Sequence, residues 1–220
     1  MKIYRPIKTN ILTQSFGENL ACTKTDSQGR VFVPYQVLHN VFPNSCPVGS
    51  TKLYPALGMK GHNGQDNGAW HGEPLYFPVD CPEAGGWWVK NEIDNNGGKG
   101  IDVVSKNKVG DTYLKYKFWH LKESALADGD EVELGQYMGR CDSTGISGGD
   151  HLHWSEKKCD ENGRPTDPYN GYYGAQSFED HYENVFVLDV LKVKQRALSV
   201  IDIARKVIFQ VVTFIRNKKK

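Results

Sequence analysis

The sequence has no surplus of charge, no paired cysteine motif and no long apolar run. Its 27 basic and 26 acidic residues leave a net charge of +1, so no overall positive field indicates a nucleic-acid partner. Its five cysteines are an odd number without a Cys-x-x-Cys pair, which argues against a disulfide framework and against a cysteine zinc site. We therefore expect free thiols and no binding of nucleic acid.

The N-terminal stretch Met1 to Leu20 contains two lysines and an arginine but no apolar run of signal-peptide length. Export by the general secretory route is therefore not expected from this sequence.

Helical periodicity is almost absent before Ser177, whereas short alternating segments separated by Gly, Asn and Pro recur. The run Asn95-Asn96-Gly97-Gly98 is a strong hairpin signal between two such segments. The pattern predicts a mainly β fold, with an antiparallel sheet in a domain covering residues 1–176. The predicted strands cover residues 11–17, 75–79, 86–90, 101–105 and 112–120.

Residues 18–57 are interpreted as a long loop inserted into this domain. Pro34, Pro43 and Pro47 favour turns there, and one short strand is predicted at residues 31–33. A loop of this length inside a compact domain is usually functional, so we expect it to form one wall of a substrate groove.

Residues 177–220 change character and predict a long amphipathic helix, over residues 178–216, followed by a basic tail. Charged residues interrupt the apolar stripe, so a transmembrane span is not expected. The first interpretation is a helix that self-associates or packs on the domain; contact with a membrane surface is the second. The stripe contains Val187, Val190, Lys194, Ala197, Ile201, Ala204, Ile208, Val211 and Ile215.

The residues that could bind a metal ion are concentrated in two short segments. In a strand, His151 and His153 point to the same face about 6.6 Å apart. His62 and Asp66 lie four residues apart in a glycine-rich segment that favours a loop or strand edge over a helix. Imidazoles and a carboxylate are ligands that zinc prefers, and a catalytic zinc needs three protein ligands with the fourth position left to water.

Several motifs occur in a fixed order between Phe16 and Pro168. Together they resemble the lysostaphin-type (M23) zinc endopeptidases of peptidoglycan, and their agreement is more specific than any one of them. The motifs are Gly61-His62-Asn63-Gly64-Gln65-Asp66, Phe118-Trp119-His120-Leu121, residues 128–136, residues 143–148, His151-Leu152-His153 and residues 163–168.

The resemblance implies one Zn²⁺ per chain, with His62, Asp66 and His153 as metal ligands. It implies catalytic roles for His120 and His151. One imidazole would accept a proton from the attacking water, and the other would stabilise the oxyanion or protonate the leaving amine. Which histidine takes which role is left open.

The resemblance also implies a function. The predicted activity is that of a zinc metallo-endopeptidase that hydrolyses cross-bridge or stem-peptide bonds in bacterial peptidoglycan, its partner. The alternative is an inactive wall-binding or activator module of the same family. Without a visible signal peptide, the protein would act on the wall as a phage-type lysin, released by lysis or carried on the virion.

Three positions depart from the family pattern. Phe118 stands where many members have Tyr, Asp150 precedes His151 where a small or apolar residue is usual, and Asn67 follows Asp66 where an apolar residue is common. None removes a ligand, so we expect effects on rate and specificity. Outside the motifs, His71 is interpreted as a surface histidine that could border the groove, His39 and His181 are given no role, and Asp102 and Asp142 are interpreted as turn residues.

Overall fold

The structure is a computed structural model that describes residues 1–19, 21–29, 31–36, 46, 48, 51–199, 201 and 205. Short strands dominate it. In chain order the strands are β1 Lys2–Arg5, β2 Leu12–Gln14, β3 Ala21–Thr25, β4 Val31–Gln36, β5 Thr51–Lys52, β6 Gln65–Gly68, β7 Pro74–Tyr76, β8 Val79–Asp80, β9 Trp87–Asp94, β10 Gly98–Ser105, β11 Tyr113–Trp119, β12 Leu121–Ser124, β13 Glu131–Val132, β14 Tyr137–Cys141, β15 His151–Cys159, β16 Ala175–Gln176 and β17 Tyr182–Phe186.

Helices are few in the described part of the chain. A single turn, α1 Leu53–Ala56, follows β5, and 3-10 turns cover Pro82–Ala84 and Glu179–His181. A longer helix, α2, covers residues 187–199. The prediction of a mainly β fold with a C-terminal helix is thereby confirmed.

The central sheet has eight strands in the order β13-β9-β10-β11-β15-β6-β2, with β16 paired to β15. All of its pairings are antiparallel. The hairpin predicted at residues 95–98 is confirmed, since Gly98 pairs with Asp94 where β9 turns into β10. Three further sheets of three strands each have the orders β17-β1-β8, β12-β14-β7 and β4-β3-β5.

The main hydrophobic core lies against one face of the central sheet. Leu114, Tyr116 and Phe118 of β11 and Leu152 and Trp154 of β15 point into it, as the two-residue period of a strand requires. Phe118 and Trp154 stack with their ring centroids 6.2 Å apart. Burying a side chain such as Phe118 stabilises the fold by about 1.5–3 kcal/mol. The alternate residues of both strands are left for the opposite face.

The interpretation of residues 18–57 as a loop with one short strand is wrong. The segment contains the three-stranded sheet β4-β3-β5 and the turn α1. Proline suggested turns because it cannot donate to a strand ladder, but Pro34 lies in β4, an edge strand, where such a residue is tolerated. Pro43 and Pro47 lie outside the described residues.

The expectation of free cysteines also needs correction. Cys22 and Cys46 form a disulfide, with a separation of 24 residues in sequence. An odd number of cysteines therefore does not exclude a single disulfide. Cys81, Cys141 and Cys159 are free and buried, as expected.

The C-terminal helix begins later than predicted. A 3-10 turn and the strand β17, which pairs in parallel with β1, occupy residues 179–186, so α2 starts at residue 187. Val187 is buried, whereas Val193 and Leu198 are 65% and 62% exposed. No helix among the described residues is long and apolar enough to span a membrane. The stripe residues beyond Ile201 lie outside the described residues, and the domain boundary at residue 176 remains a prediction.

Candidate active site

Three polar side chains meet where the neighbouring strands β6 and β15 pair. Asp66 and His153 are register partners on these antiparallel strands, so their side chains share one face. His62, just before β6, completes the group. His62 Nε2 lies 2.9 Å from His153 Nδ1 and 3.1 Å from Asp66 Oδ1, and His153 Nδ1 lies 3.0 Å from the same oxygen. The structure therefore brings the three predicted ligands together, all of them buried.

The chemistry of this group fits zinc. His62 Nδ1 lies 3.1 Å from the Ser15 carbonyl oxygen, which can accept only from a protonated nitrogen. That hydrogen bond leaves the Nε2 of His62 with a lone pair, directed at the other two donor atoms. Two imidazole nitrogens and one carboxylate oxygen, with a backbone carbonyl orienting one ring, are the donor set and the outer hydrogen bond of a catalytic zinc centre.

The glycines of the first motif are required by close approach of other atoms. A Cβ on Gly64 would lie 2.5 Å from the Trp154 carbonyl oxygen and 2.8 Å from His153 Nε2. A Cβ on Gly61 would lie 2.3 Å from the Gly17 carbonyl oxygen. Neither position has a positive φ, so the constraint is space and not backbone conformation. The glycines allow His62 and Asp66 to lie directly against β15.

His120 and His151 stand beside this group. Their ring centroids are 4.5 Å apart, and the centroid of His120 lies 5.9 Å from that of His153. His151 Nε2 lies 3.7 Å from Asp66 Oδ2. Each ring has its Nδ1 2.7 Å from a carbonyl oxygen, that of Thr144 for His120 and that of Gly149 for His151. Donation from Nδ1 leaves both Nε2 atoms as hydrogen-bond acceptors.

His120 reaches the site by a route that strand alternation does not predict. Strand alternation would place His120 on the same face as Phe118, but Phe118 points into the hydrophobic core. β11 ends at Trp119, and His120 adopts a positive φ of 63°. This left-handed conformation is unfavourable for a residue with a Cβ, and it turns the ring away from the core towards His151 and His153.

The environment favours neutral imidazoles and an ionised carboxylate. Burial, reinforced by the neighbouring imidazoles His151 and His153, lowers the pKa of His120 to about 3. Burial also lowers the pKa of His153 to about 4, against the opposing effect of Asp66. For Asp66, burial raises the pKa, but His62, His151 and the hydrogen bond to His153 outweigh it and hold the pKa well below the usual value. A zinc ligand must be unprotonated, so these directions suit metal binding.

The site opens into a groove of ≈ 280 Å³ on the face of the sheet opposite the core. The sequence interpretation missed several lining residues. Alternation along β15 from His153 indicates Ser155 and Lys157, but no sequence signal links Tyr54 to the site. Tyr54 donates to Gln14 at 2.8 Å, and its ring centroid lies 5.5 Å from that of His62. The missed residues are Gln14, Tyr54, Lys117, Ser155, Lys157 and Tyr173.

Two departures from the family pattern belong to the core. Asn67 is buried, and its side-chain oxygen accepts from Trp154 Nε1 at 2.8 Å and from Gln65 Nε2 at 3.0 Å. A polar residue here satisfies the indole nitrogen of a core tryptophan. Phe118 faces the core, so a hydroxyl at that position would not reach the groove.

The third departure, Asp150, lies outside the groove lining, beside His71. His71 Nδ1 is 3.6 Å from Asp150 and 3.2 Å from Asp142, and the His71 side chain is 59% exposed. His71 is therefore a surface histidine, as predicted. The interpretation of Asp102 as a turn residue is wrong, because it is buried in β10 and pairs with Lys115 at 3.0 Å.

No family model and no curated protein sequence matches this chain. Among solved structures, the catalytic domain of lysostaphin from Staphylococcus simulans is 24% identical, with a TM-score of 0.43, over 55% of this chain and 78% of that chain. A mutant catalytic domain of the prophage-encoded M23 protein EnpA from Enterococcus faecalis is 27% identical, with a TM-score of 0.39, over 50% and 80%. A zinc-containing peptidase from Vibrio cholerae is 19% identical, with a TM-score of 0.38, over 66% and 44%.

These superpositions are weak, and the family likeness rests on the motifs and their geometry. The motifs occur in the order expected from the resemblance, and an antiparallel sheet brings their polar residues together at one edge of a groove. In these motifs the chain resembles the lysostaphin-type (M23) peptidases, and its fold is mainly β with antiparallel sheets.

Proposed function

We propose that the protein is a zinc metallo-endopeptidase that hydrolyses peptide bonds in bacterial peptidoglycan. The observation that carries the proposal is the convergence of His62, Asp66 and His153 within 2.9–3.1 Å of one another, beside two further histidines that line an open groove. A merely structural histidine cluster would not need the groove or the free Nε2 atoms of His120 and His151.

Zinc held by these three residues would supply Lewis acidity, which polarises a peptide carbonyl and makes water a stronger acid. The chain supplies the remaining steps. His120 and His151 each present an unprotonated Nε2, so either ring can accept the proton of the attacking water. The same ring, or its neighbour, then donates a proton to the amine that leaves. The carbonyl oxygens of Thr144 and Gly149 hold the rings in the required tautomer.

The groove supports an extended peptide as substrate. It runs along the face of β11 and β15 opposite the core, so a peptide chain can lie along these strands with its carbonyl beside the proposed metal ligands. Tyr54, from the inserted segment, lines the groove close to His62. This contact agrees with the expectation that residues 18–57 form one wall of the groove.

The test measures zinc content and the clearing of purified peptidoglycan for the parent and for His151→Ala. We expect one zinc per chain in both proteins, and clearing that is slower by about 10²-fold or more in the variant. His181→Ala is the matched control, because His181 is exposed and lies outside the groove lining. Absence of zinc, or parental clearing by His151→Ala, would contradict the proposal. Zinc with wall binding but no clearing would instead indicate a binding module.

A further inference from the structure

Two glycine-containing segments that stand out in the sequence meet beside the active site. Residues 95–98 lie where β9 turns into β10, and residues 143–148 follow β14. Their backbones are in direct contact. A Cβ on Gly98 would lie 2.4 Å from the Thr144 carbonyl carbon, and a Cβ on Gly145 would lie 2.4 Å from the Gly98 nitrogen. The two segments therefore fix each other in position.

The hydroxyl of Thr144 bridges two strands of different sheets. Its Oγ1 accepts from the Lys99 amide at 3.1 Å and donates to the Leu121 carbonyl oxygen at 2.9 Å. Lys99 lies at the start of β10, and Leu121 begins β12 directly after His120. A hydroxyl has one proton to donate and two lone pairs, so both contacts are made at once and fix the side chain.

His120 is held at three of its atoms by this part of the structure. Its backbone amide donates to the Gly97 carbonyl oxygen at 3.1 Å, and its carbonyl oxygen accepts from the Asp142 amide at 2.9 Å. Its ring Nδ1 lies 2.7 Å from the Thr144 carbonyl oxygen. A left-handed residue with a Cβ persists only where the surrounding structure over-determines its conformation. The three hydrogen bonds supply that constraint.

Thr144 contacts His120 through one group and the surrounding strands through another. Its carbonyl oxygen holds the ring, whereas its hydroxyl anchors the same residue to Lys99 and Leu121. Without the hydroxyl, the carbonyl oxygen would lose its anchor and the ring could move. Thr144 is not part of the groove lining, so its effect on a substrate passes through His120.

We propose that Thr144 is a positioning residue for His120, whose hydroxyl anchors the carbonyl oxygen that keeps Nδ1 protonated and Nε2 ready to accept a proton. The inference rests on the proposed function, because it concerns the rate of that reaction. His151 is supported separately, since its partner, the Gly149 carbonyl oxygen, also accepts from the Ser147 hydroxyl at 2.8 Å. A change at Thr144 should therefore act on one histidine.

The experiment removes the hydroxyl and then restores it. Thr144→Val and Thr144→Ala remove both side-chain hydrogen bonds, with and without a methyl group in the place of the hydroxyl, and Thr144→Ser keeps them. Thr112→Val is the matched control. The Thr112 hydroxyl lies 3.1 Å from the Cys159 carbonyl oxygen, at the end of β11 remote from His120 and outside the groove lining.

Each zinc-loaded full chain is assayed for zinc content, for kcat and apparent KM of wall solubilisation, and by NMR for exchange of the His120 Nδ1 proton with water. In Thr144→Val and Thr144→Ala, kcat should fall about tenfold or more at an unchanged apparent KM, because a displaced catalytic group slows the chemical step without weakening substrate binding. The Nδ1 proton should exchange about tenfold faster, because its hydrogen bond opens more often.

Thr144→Ser and Thr112→Val should match the parent in kcat and in exchange rate, even where Thr112→Val lowers the free energy of unfolding. Parental exchange in both Thr144→Val and Thr144→Ala would overturn the inference whatever the activity. So would a parental kcat in both variants, or equal losses in Thr144→Ser or Thr112→Val.

The exchange measurement keeps the two proposals separate. If the parent does not solubilise the wall, the proposed activity fails. Faster exchange in Thr144→Val and Thr144→Ala, with the parental rate in Thr144→Ser, would then still support the positioning of His120 by the Thr144 hydroxyl.

Discussion

The two faces of the central sheet are built from the same strands but have opposite roles. On β15, Leu152 and Trp154 enter the hydrophobic core, while His153, Ser155 and Lys157 face the groove. The core face is apolar and close-packed, whereas the groove face holds buried imidazoles, a buried carboxylate and lysines. Packing therefore fixes the strands from one side, and the other side is free to hold charged groups at set distances.

Adjacent residues on β15 provide the sharpest test of this division. His153→Ala removes one of the three proposed zinc ligands, so zinc content and wall solubilisation should both fall below detection, while the folding stability of the zinc-free protein changes little. Trp154→Ala should lower the free energy of unfolding by about 3–5 kcal/mol because it opens a core cavity. Zinc content by mass spectrometry and urea unfolding of both variants check the pair. If His153→Ala lowered the free energy of unfolding as much as Trp154→Ala does, the two faces of the sheet would not have separate roles.

His120 follows the end of β11 and does not obey the strand alternation, so a substitution there tests whether it acts with the groove face. His120→Ala should slow wall solubilisation by about 10²-fold while zinc stays bound, because the ring lies beside the ligand group and is not one of its three members. His120→Asn is the useful second variant, since Asn tolerates the left-handed backbone better than Ala. Equal slowing in both, measured with zinc content and steady-state rates, assigns the effect to the lost imidazole and not to the backbone.

Acid should destabilise the zinc-free protein because two buried histidines of the groove face, His120 and His153, resist protonation in the folded state. The folded-state pKa values of His120 and His153, about 3 and about 4, lie below the roughly 6.5 of an unfolded histidine. The unfolded state therefore binds more protons as pH falls below about 6.5, and stability is lost by up to about 1.4 kcal/mol per pH unit for each histidine. Urea unfolding between pH 7 and pH 5 measures this slope. His120→Gln should have a smaller slope than the parent, and an unchanged slope would contradict the assignment.

Asn67 is a polar residue on the core side, and replacing it should have the smallest effect. Asn67→Ala leaves Trp154 Nε1 without its acceptor, at a cost of about 1–3 kcal/mol in unfolding free energy. Zinc content should stay at the parental value because the ligands are untouched. Thermal unfolding with metal analysis checks both points, and loss of zinc would show that the two faces are coupled through β6.

Much of the fold could be predicted from local patterns. The hairpin at residues 95–98 and the mainly β class follow from turn residues and two-residue alternation, which depend on neighbours in sequence. The sheet in residues 18–57 could not be predicted in the same way. β3 pairs with both β4 and β5, and the edge position that tolerates Pro34 exists only once these pairings are made.

The division between sequence and tertiary structure is clearest in the site. The sequence by itself determined which side chains could bind metal, because the residue types and the spacing in His151-Leu152-His153 place two imidazoles on one strand face. Tertiary structure alone decided that Asp66 lies opposite His153, that the positive φ of His120 turns its ring into the groove, and that Tyr54 and Lys117 join them. The physical reason is that strand register and end-of-strand backbone conformation are set by long-range pairing and packing, which no local pattern encodes.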